Sequence, residues 1–383
     1  MSNICLITSK NIDFNNDIDG ANILINQLIK KFNIIANIDI LIFNNERIKN
    51  CDKNINELKK AGARNVHLHY LNNICKNKFD DRLNTFNEKI SVITNIHSKY
   101  DKIMVIHISN IFGIENLSKE IRNKIILFPM FLGLSYKYSN EFINELYIKR
   151  EKLVFENINK ILTPSNSEKK QMIEEYNVLN SKITVIPRGF DLKLLKKKSY
   201  NNNNNKIQIV YIAAIRKQKN HIDLIKLMNE LIINDISFQI HLIGKSEKDA
   251  FEEFFDLVNK NNFNKYIKYH GVVSQNKLSH IISKCDFNIS VSKCETFGRG
   301  IYEGLLIGLP TIVYKNIECL WENLKDGHGI IGVNSPTEIA NEIIKINKSN
   351  QLYNSISKDA LSYRDKFNEE EILDLMQKKI LGD

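Results

Sequence analysis

Short, mostly apolar runs recur along this 383-residue chain, each followed by a longer segment whose apolar residues fall three and four apart. That alternation narrows the architectures open to it. Ile4–Ile7, Ile38–Phe43, Val66–Tyr70, Ile103–Ile108, Ile125–Phe128 and Ile161–Thr163 have strand length, and Leu24, Leu28 and Phe32 mark one face of an intervening helix. Repeated strand, helix, strand builds right-handed units around a parallel sheet covered on both faces. The rhythm breaks at Leu192–Lys206, where a basic run meets a poly-Asn tract that cannot supply a core. It resumes with strands at Ile207–Ala213, Phe238–Gly244, Tyr266–Gly271, Asp286–Val291 and Thr311–Tyr314. A glycine-rich turn at Asp326–Gly332 and helical patterns over Pro336–Ile346 and Asn368–Lys379 follow. The expected organisation is α/β: a domain over residues 1–192, a linker at 193–206, a second domain over 207–365, and a closing helix at about 366–383.

With 43% hydrophobic residues the chain can fill two cores, and it has no run near the roughly 20 apolar residues that span a bilayer. Met1-Ser2-Asn3 leads straight into a strand without a charged segment and apolar stretch, so no signal peptide and a cytoplasmic location are expected. The six cysteines lack CxxC spacing; Cys5 and Cys285 read as small buried hydrophobes of a reducing compartment. His67 and His69 alternate on one strand without a nearby carboxylate or cysteine, so they read as strand-face residues, and no metal is expected. The formal charge of +10 admits nucleic acid, anionic lipid or a polyanionic substrate as partner, and equally the lysine richness of an AT-rich genome.

The stretch Cys294–Tyr314, CETFGRGIYEGLLIGLPTIVY, carries the chemistry. Glu295 and Glu303 stand eight residues apart with Phe297-Gly298 between them and Gly308-Leu309-Pro310 beyond. An apolar strand precedes it, and Ile301, Leu305 and Leu306 give it helical spacing after the glycine turn. Strand, turn and helix together place free amides and a positive helix end at the carboxyl edge of a sheet, where phosphates bind. A carboxylate there repels phosphate but accepts hydrogen bonds from sugar hydroxyls. The ligand suggested is part phosphate and part sugar; the plain alternative is a solvated pair of acids at a helix start.

Glutamates in E-(x7)-E spacing, with FG inside and GxP after, resemble the signature of the retaining GT-B glycosyltransferases of family 4. The resemblance implies two Rossmann-like doubly wound parallel-sheet domains facing an interdomain cleft, with the closing helix packed back on the first. It also implies a nucleotide-sugar donor, UDP-hexose or UDP-N-acetylhexosamine, with no cofactor and no metal. Glu303 would accept from the ribose hydroxyls, and Glu295 would position the donor sugar. The amides of Phe297, Gly298 and Arg299, with Lys219, would neutralise the leaving diphosphate. His107, at the carboxyl end of its strand, would hydrogen-bond the sugar; the other reading is a satisfied core histidine. Gly20, closing the polar loop Asn11–Gly20, matches a diphosphate-contacting glycine or serves as a helix N-cap.

Four positions depart from the family pattern. Ala213 and Ala214 stand where Gly-Arg is usual, leaving Arg216 to supply that charge from a shifted position or to sit on a solvated basic turn. Arg299 replaces an apolar residue, and Arg188 an asparagine in Lys182–Asp191. A non-catalytic nucleotide-sugar-binding partner of a transferase is the rival reading on the same fold. A Rossmann oxidoreductase would need GxGxxG where this chain has Thr8-Ser9-Lys10. The acceptor implied is a glycan or lipid-linked glycan of surface polysaccharide assembly, with an anionic membrane surface as partner and no nucleic acid.

Overall fold

Strand β1 (Ser2–Thr8) lies in the middle of a parallel sheet with β2 (Ala36–Asn44), β3 (Asn65–Tyr70), β4 (Lys102–Ile106), β5 (Ile125–Phe128), β6 (Ile161–Thr163) and β7 (Ile183–Val185). The computed structural model describes residues 1–9, 20–44, 51–72, 78–130, 132–135, 145–196 and 206–382. Residues 11–19 of the first polar loop and the poly-Asn tract lie outside them. The chain divides into two units, the first running to Pro187 and including Ile372–Asp383, the second covering Arg188–Glu371.

In the first unit the order is β3-β2-β1-β4-β5-β6-β7. The two-residue period of each strand divides its side chains between two cores. Cys5, Ile7, Leu41, Phe43, Ile103 and Val105 enter one, while Ile4, Leu6, Ile38, Ile40, Met104 and Ile106 enter the other. The second core also takes Leu24, Leu28 and Phe32 of the helix Gly20–Phe32, and Ile372, Leu373, Met376 and Ile380 near the chain end. Burial on both faces explains why these strands read as continuous apolar runs. Burial also pushes the Cys5 thiol far up.

Strand β4 stops two residues short of its expected end at Ile108. His107 takes a left-handed backbone (φ 80), and Asn110 Nδ2 donates to the Ile106 carbonyl at 2.7 Å, turning the chain into a short 3₁₀ segment. A non-glycine residue there costs about 1 kcal/mol or more.

The second unit orders its strands β10-β9-β8-β11-β12-β13, all parallel. These are β8 (Ile207–Ile212), β9 (Phe238–Ile243), β10 (Ile267–Tyr269), β11 (Phe287–Ser290), β12 (Thr311–Tyr314) and β13 (Ile330–Val333). The chain leaves β8 toward β9 on one side, and β11 lies on the other. Their carboxyl ends therefore flank the crevice where such sheets take ligands. The stretch Asp326–Gly332, expected as a turn, is a turn only to Gly329 and then becomes the edge strand β13. Glycines at φ +80 and +76 obscured that short apolar strand, whose Gly332 amide is held by Asp326 Oδ1 at 2.8 Å.

In the helix Glu145–Asn157, Glu151 is wholly buried and both its oxygens accept from the amide of Gly133, five residues beyond β5, at 2.9 and 3.0 Å. Tyr176 donates its hydroxyl to the same carboxyl at 2.5 Å. Burial raises Glu151 to about 7, against the lowering effect of Tyr176, Gly133 and Arg82. A raised carboxyl binds its proton more tightly folded than unfolded, so its contribution to stability is complete below about pH 4.5 and fades as pH rises through 7. Urea unfolding of the parent and Glu151→Gln from pH 5 to 8 should show the parent losing stability relative to the variant. The expected loss is roughly 1 kcal/mol for each unit separating the two pKa values.

Candidate active site

The loops after β8 and β11 meet at the carboxyl edge of the second sheet, where the Lys293 amide donates to the Gln218 carbonyl at 2.9 Å. The loop after β8 carries a 3₁₀ turn, Lys217–Lys219, and the loop after β11 carries Glu295. Lys219 Nζ lies 2.7 Å from Glu295 Oε1, with the two side chains 18% and 14% exposed. Ser292 donates its hydroxyl to the same Oε1 at 2.9 Å. Oε2 has no protein partner among the described residues, so it remains able to accept from a ligand.

Beneath this pair, the buried Tyr211 hydroxyl is 2.6 Å from the Lys219 carbonyl and 2.9 Å from Ser292 Oγ. Two hydroxyl protons serve three contacts here, so only two of them are hydrogen bonds at any one time. Burial raises Tyr211 strongly, and Cys294 to about 11, the lowering effect of Lys219 on Cys294 being smaller. Nothing in the sequence flagged Tyr211 or Ser292: one lies inside an apolar strand, and serine after a strand is commonplace.

Glu303 lies in the helix Arg299–Leu305, which packs flat on the sheet because Gly300 and Gly304 face it. A Cβ at Gly300 would come within 2.1 Å of the Ile212 carbonyl oxygen, and one at Gly304 within 2.3 Å of Asn288. Asn288 Nδ2 donates to the Ile301 carbonyl at 2.9 Å, tying the helix to β11. Gly298 starts the helix with φ 81, a conformation costly for other residues. Glu303 is buried; burial raises its pKa, opposed by Arg299 and Gln275.

Arg299 holds Glu303 Oε1 through Nε at 3.1 Å, donates to the Gly189 carbonyl at 3.1 Å, and lies 4.3 Å over the Phe190 ring. Phe297 is buried and stacks on Tyr302 at 4.6 Å, so what it can offer a ligand is its backbone. The structure thus brings Lys219 together with Glu295, and Arg299 with Glu303. Arg216 turns elsewhere: its Nε lies 3.2 Å from Glu247 Oε1. Gly20 opens its helix exposed, with nothing within 4 Å of where a Cβ would stand.

In the first unit, His107 immediately follows β4, and its amide donates to the Phe128 carbonyl at 2.8 Å. His107 Nδ1 accepts from the Ser109 amide at 3.2 Å, with Ser109 Oγ at 3.0 Å. Because a backbone N–H can only donate, the neutral ring carries its proton on Nε2, which makes that atom a donor. Among the described residues no cluster of three or more His, Cys, Asp or Glu could hold a metal ion. None of their helices is long and apolar enough to cross a membrane.

Two family models match in succession, Glycosyltransferase Family 4 over residues 66–194 and Glycosyl transferases group 1 over residues 193–362. The chain belongs to the group 1 glycosyltransferases, of the family 4 type. It is 26% identical over 272 residues to an uncharacterized 41.2 kDa protein in the cps region of Klebsiella pneumoniae, covering 67% of this chain and 71% of that one. It is also 26% identical over 214 residues to the uncharacterized glycosyltransferase MJ1178 of Methanocaldococcus jannaschii, covering 55% and 56%.

Among solved structures this glycosyltransferase is similar to Anabaena HepE in complex with UDP and glucose, at TM-score 0.79 and 15% identity, covering 99% of each chain. It is likewise similar to sucrose-phosphate synthase from Thermosynechococcus elongatus, at TM-score 0.81 and 17% identity, covering 99% and 98%. Its fold is GT-B.

The flat seating of the Glu303 helix gives a stability test. Gly300→Ala should lower unfolding stability by about 2–3 kcal/mol, because the methyl group meets backbone rather than a movable side chain. Gly20→Ala should leave stability unchanged or raise it by about 0.5 kcal/mol. Denaturant midpoints of both variants against the parent decide it.

Proposed function

We propose that this glycosyltransferase moves a hexosyl or N-acetylhexosaminyl group from a UDP-sugar to a glycan or lipid-linked acceptor in surface polysaccharide assembly. Transfer proceeds with retention of anomeric configuration and without a metal ion. The observation that carries the donor side is the Lys219–Glu295 pair at 2.7 Å, buttressed by Ser292 and set in the same loop system as the Glu303 helix. It supplies one cation for a diphosphate and one carboxylate with an open oxygen for sugar hydroxyls. HepE has been solved with UDP and with UDP-glucose, and the Klebsiella relative is encoded in a cps region; both favour this donor and pathway.

In this reading Lys219 Nζ and the amides of Phe297, Gly298 and Arg299 stabilise charge on the leaving diphosphate. Gly20 approaches the same diphosphate. Glu295 orients the donor sugar through Oε2. Glu303 accepts from the ribose diol, with Arg299 fixing its rotamer. From the first unit, His107 donates to the donor sugar through Nε2.

Lys219→Ala should lower kcat/KM for UDP-sugar turnover by about 10²-fold with its unfolding midpoint retained. Glu295→Gln should lower kcat more than it raises KM. UDP release from the preferred member of a UDP-sugar panel, with acceptor present, should be the same in EDTA as in Mg²⁺. A strict Mg²⁺ requirement would reject the metal-free mechanism, and a protein that binds UDP-sugars yet never releases UDP is a binding partner rather than a transferase.

The formal charge of +10 favours work at the inner face of an anionic cytoplasmic membrane. Sedimentation with phosphatidylglycerol vesicles should be strong at low salt and lost at high salt. Equal partition onto neutral and anionic vesicles would sink that placement.

A further inference from the structure

Beyond the donor residues, the second unit contains a pocket of about 210 Å³ walled by Arg216, Lys217, Asn220, His221, Glu253 and Lys293, among others. Lys219, Glu295, Phe297, Gly298, Arg299 and Glu303 take no part in its wall.

His221 is the anomaly. It is only 2% exposed, and among the described residues neither ring nitrogen has a hydrogen-bond partner. Its ring is fixed by Tyr211, centroid to centroid 4.8 Å, and by Phe254 at 5.7 Å. Burial first, and Lys219 second, push its pKa down to about 3, so the ring is neutral and offers one donor and one acceptor. Leaving both unmade carries the desolvation cost of each group, a cost that a bound polar ligand removes.

Arg216 repeats the pattern, since its buried Nε makes no hydrogen bond although Glu247 Oε1 lies 3.2 Å away. The charges facing the pocket are Arg216, Lys217 and Lys293 against Glu253, with Glu247 behind Arg216. The balance is positive, and the volume is that of a small molecule.

We propose that this pocket is a binding site for a small phosphate-bearing anion, either inorganic phosphate or a phosphate monoester of a small hydroxylated molecule, held by Arg216, Lys217, Lys293 and the His221 imidazole. Its oxygens accept from the guanidinium fork and the two ammonium groups. A P–OH or an alcohol can donate to the bare nitrogen of the neutral imidazole, which an aprotic anion such as sulfate cannot do. The site is separate from the donor residues, although Lys217 and Lys219 share one turn.

The test is calorimetric titration of the full-length protein with inorganic phosphate at fixed ionic strength, with saturating UDP present. Sulfate, glycerol 3-phosphate and glucose 6-phosphate are run in parallel. The parent should bind phosphate saturably and prefer it to sulfate; a monoester that binds more tightly than phosphate identifies the ligand as esterified, and a weaker one as free phosphate.

Lys217→Gln/Lys293→Gln alters two exposed side chains and should weaken phosphate by about tenfold, while the UDP-induced thermal shift stays as in the parent. His221→Asn should remove the preference for phosphate over sulfate. Equal phosphate affinity in the parent and the lysine double variant, or phosphate binding abolished by UDP, would overturn the proposal. A missing UDP response alongside intact phosphate binding counts against the donor reading alone.

Discussion

The close seating of the helix Arg299–Leu305 on its sheet is the constraint on which the rest of the site depends. A helix usually stands off its sheet on the side chains of the face it turns toward it. Here Gly300 and Gly304 remove those side chains on one face, and the helix comes down until Gly300 meets the Ile212 carbonyl and Gly304 meets Asn288. That descent buries Glu303, which Arg299, one turn away on the same helix, reaches along with the Gly189 carbonyl. It also stacks Phe297 on Tyr302, which fixes the turn whose amides open the helix. One packing choice thus sets the position of the whole motif.

The two glutamates of that motif live in different electrostatic settings. Glu295 is partly exposed and receives Lys219 and Ser292 on one oxygen. Glu303 is buried, and burial raises its pKa in spite of Arg299. An acceptor short of partners gains most from hydroxyl donors, because they return hydrogen bonds lost when it left water. Arg299 is therefore structural as much as electrostatic: stacked over Phe190, it holds the carboxylate in one rotamer.

Much of this was legible in the sequence, for a physical reason. Parallel strands buried on both faces leave uninterrupted apolar runs, so most of the strands stood out. Residues needing glycine for close approach left glycines at fixed spacing. Strand β13 escaped because Gly327, Gly329 and Gly332 dilute its short apolar run, and β4 ended early because a left-handed His107 leaves no trace in hydrophobic pattern. Lys219 and Glu295 were legible as a motif, but their direct pairing was not. Tyr211, Ser292 and His221 carried no signal either, since each acts through a tertiary neighbour rather than through spacing along the chain.

The charge accounting at the loop after β8 follows from one substitution. Where the pattern that this sequence resembles has an arginine, the chain has Ala214, in a segment so close to Gly244 that a Cβ on Gly244 would lie 2.3 Å from the Ala213 oxygen. Arg216, which the sequence offers for that charge, has its Nε 3.2 Å from Glu247 Oε1. On the proposed donor reading, that leaves Lys219 as the cation for the diphosphate, and Lys219 already has Glu295 as its partner. A diphosphate must then compete with a carboxylate for the same ammonium group, and it wins most readily when something else satisfies Glu295. The hydroxyls of an attached sugar do so. On that reading, recognition of the two halves of the donor is coupled through a single ion pair, and the intact nucleotide-sugar is a better ligand than the nucleotide that remains after transfer.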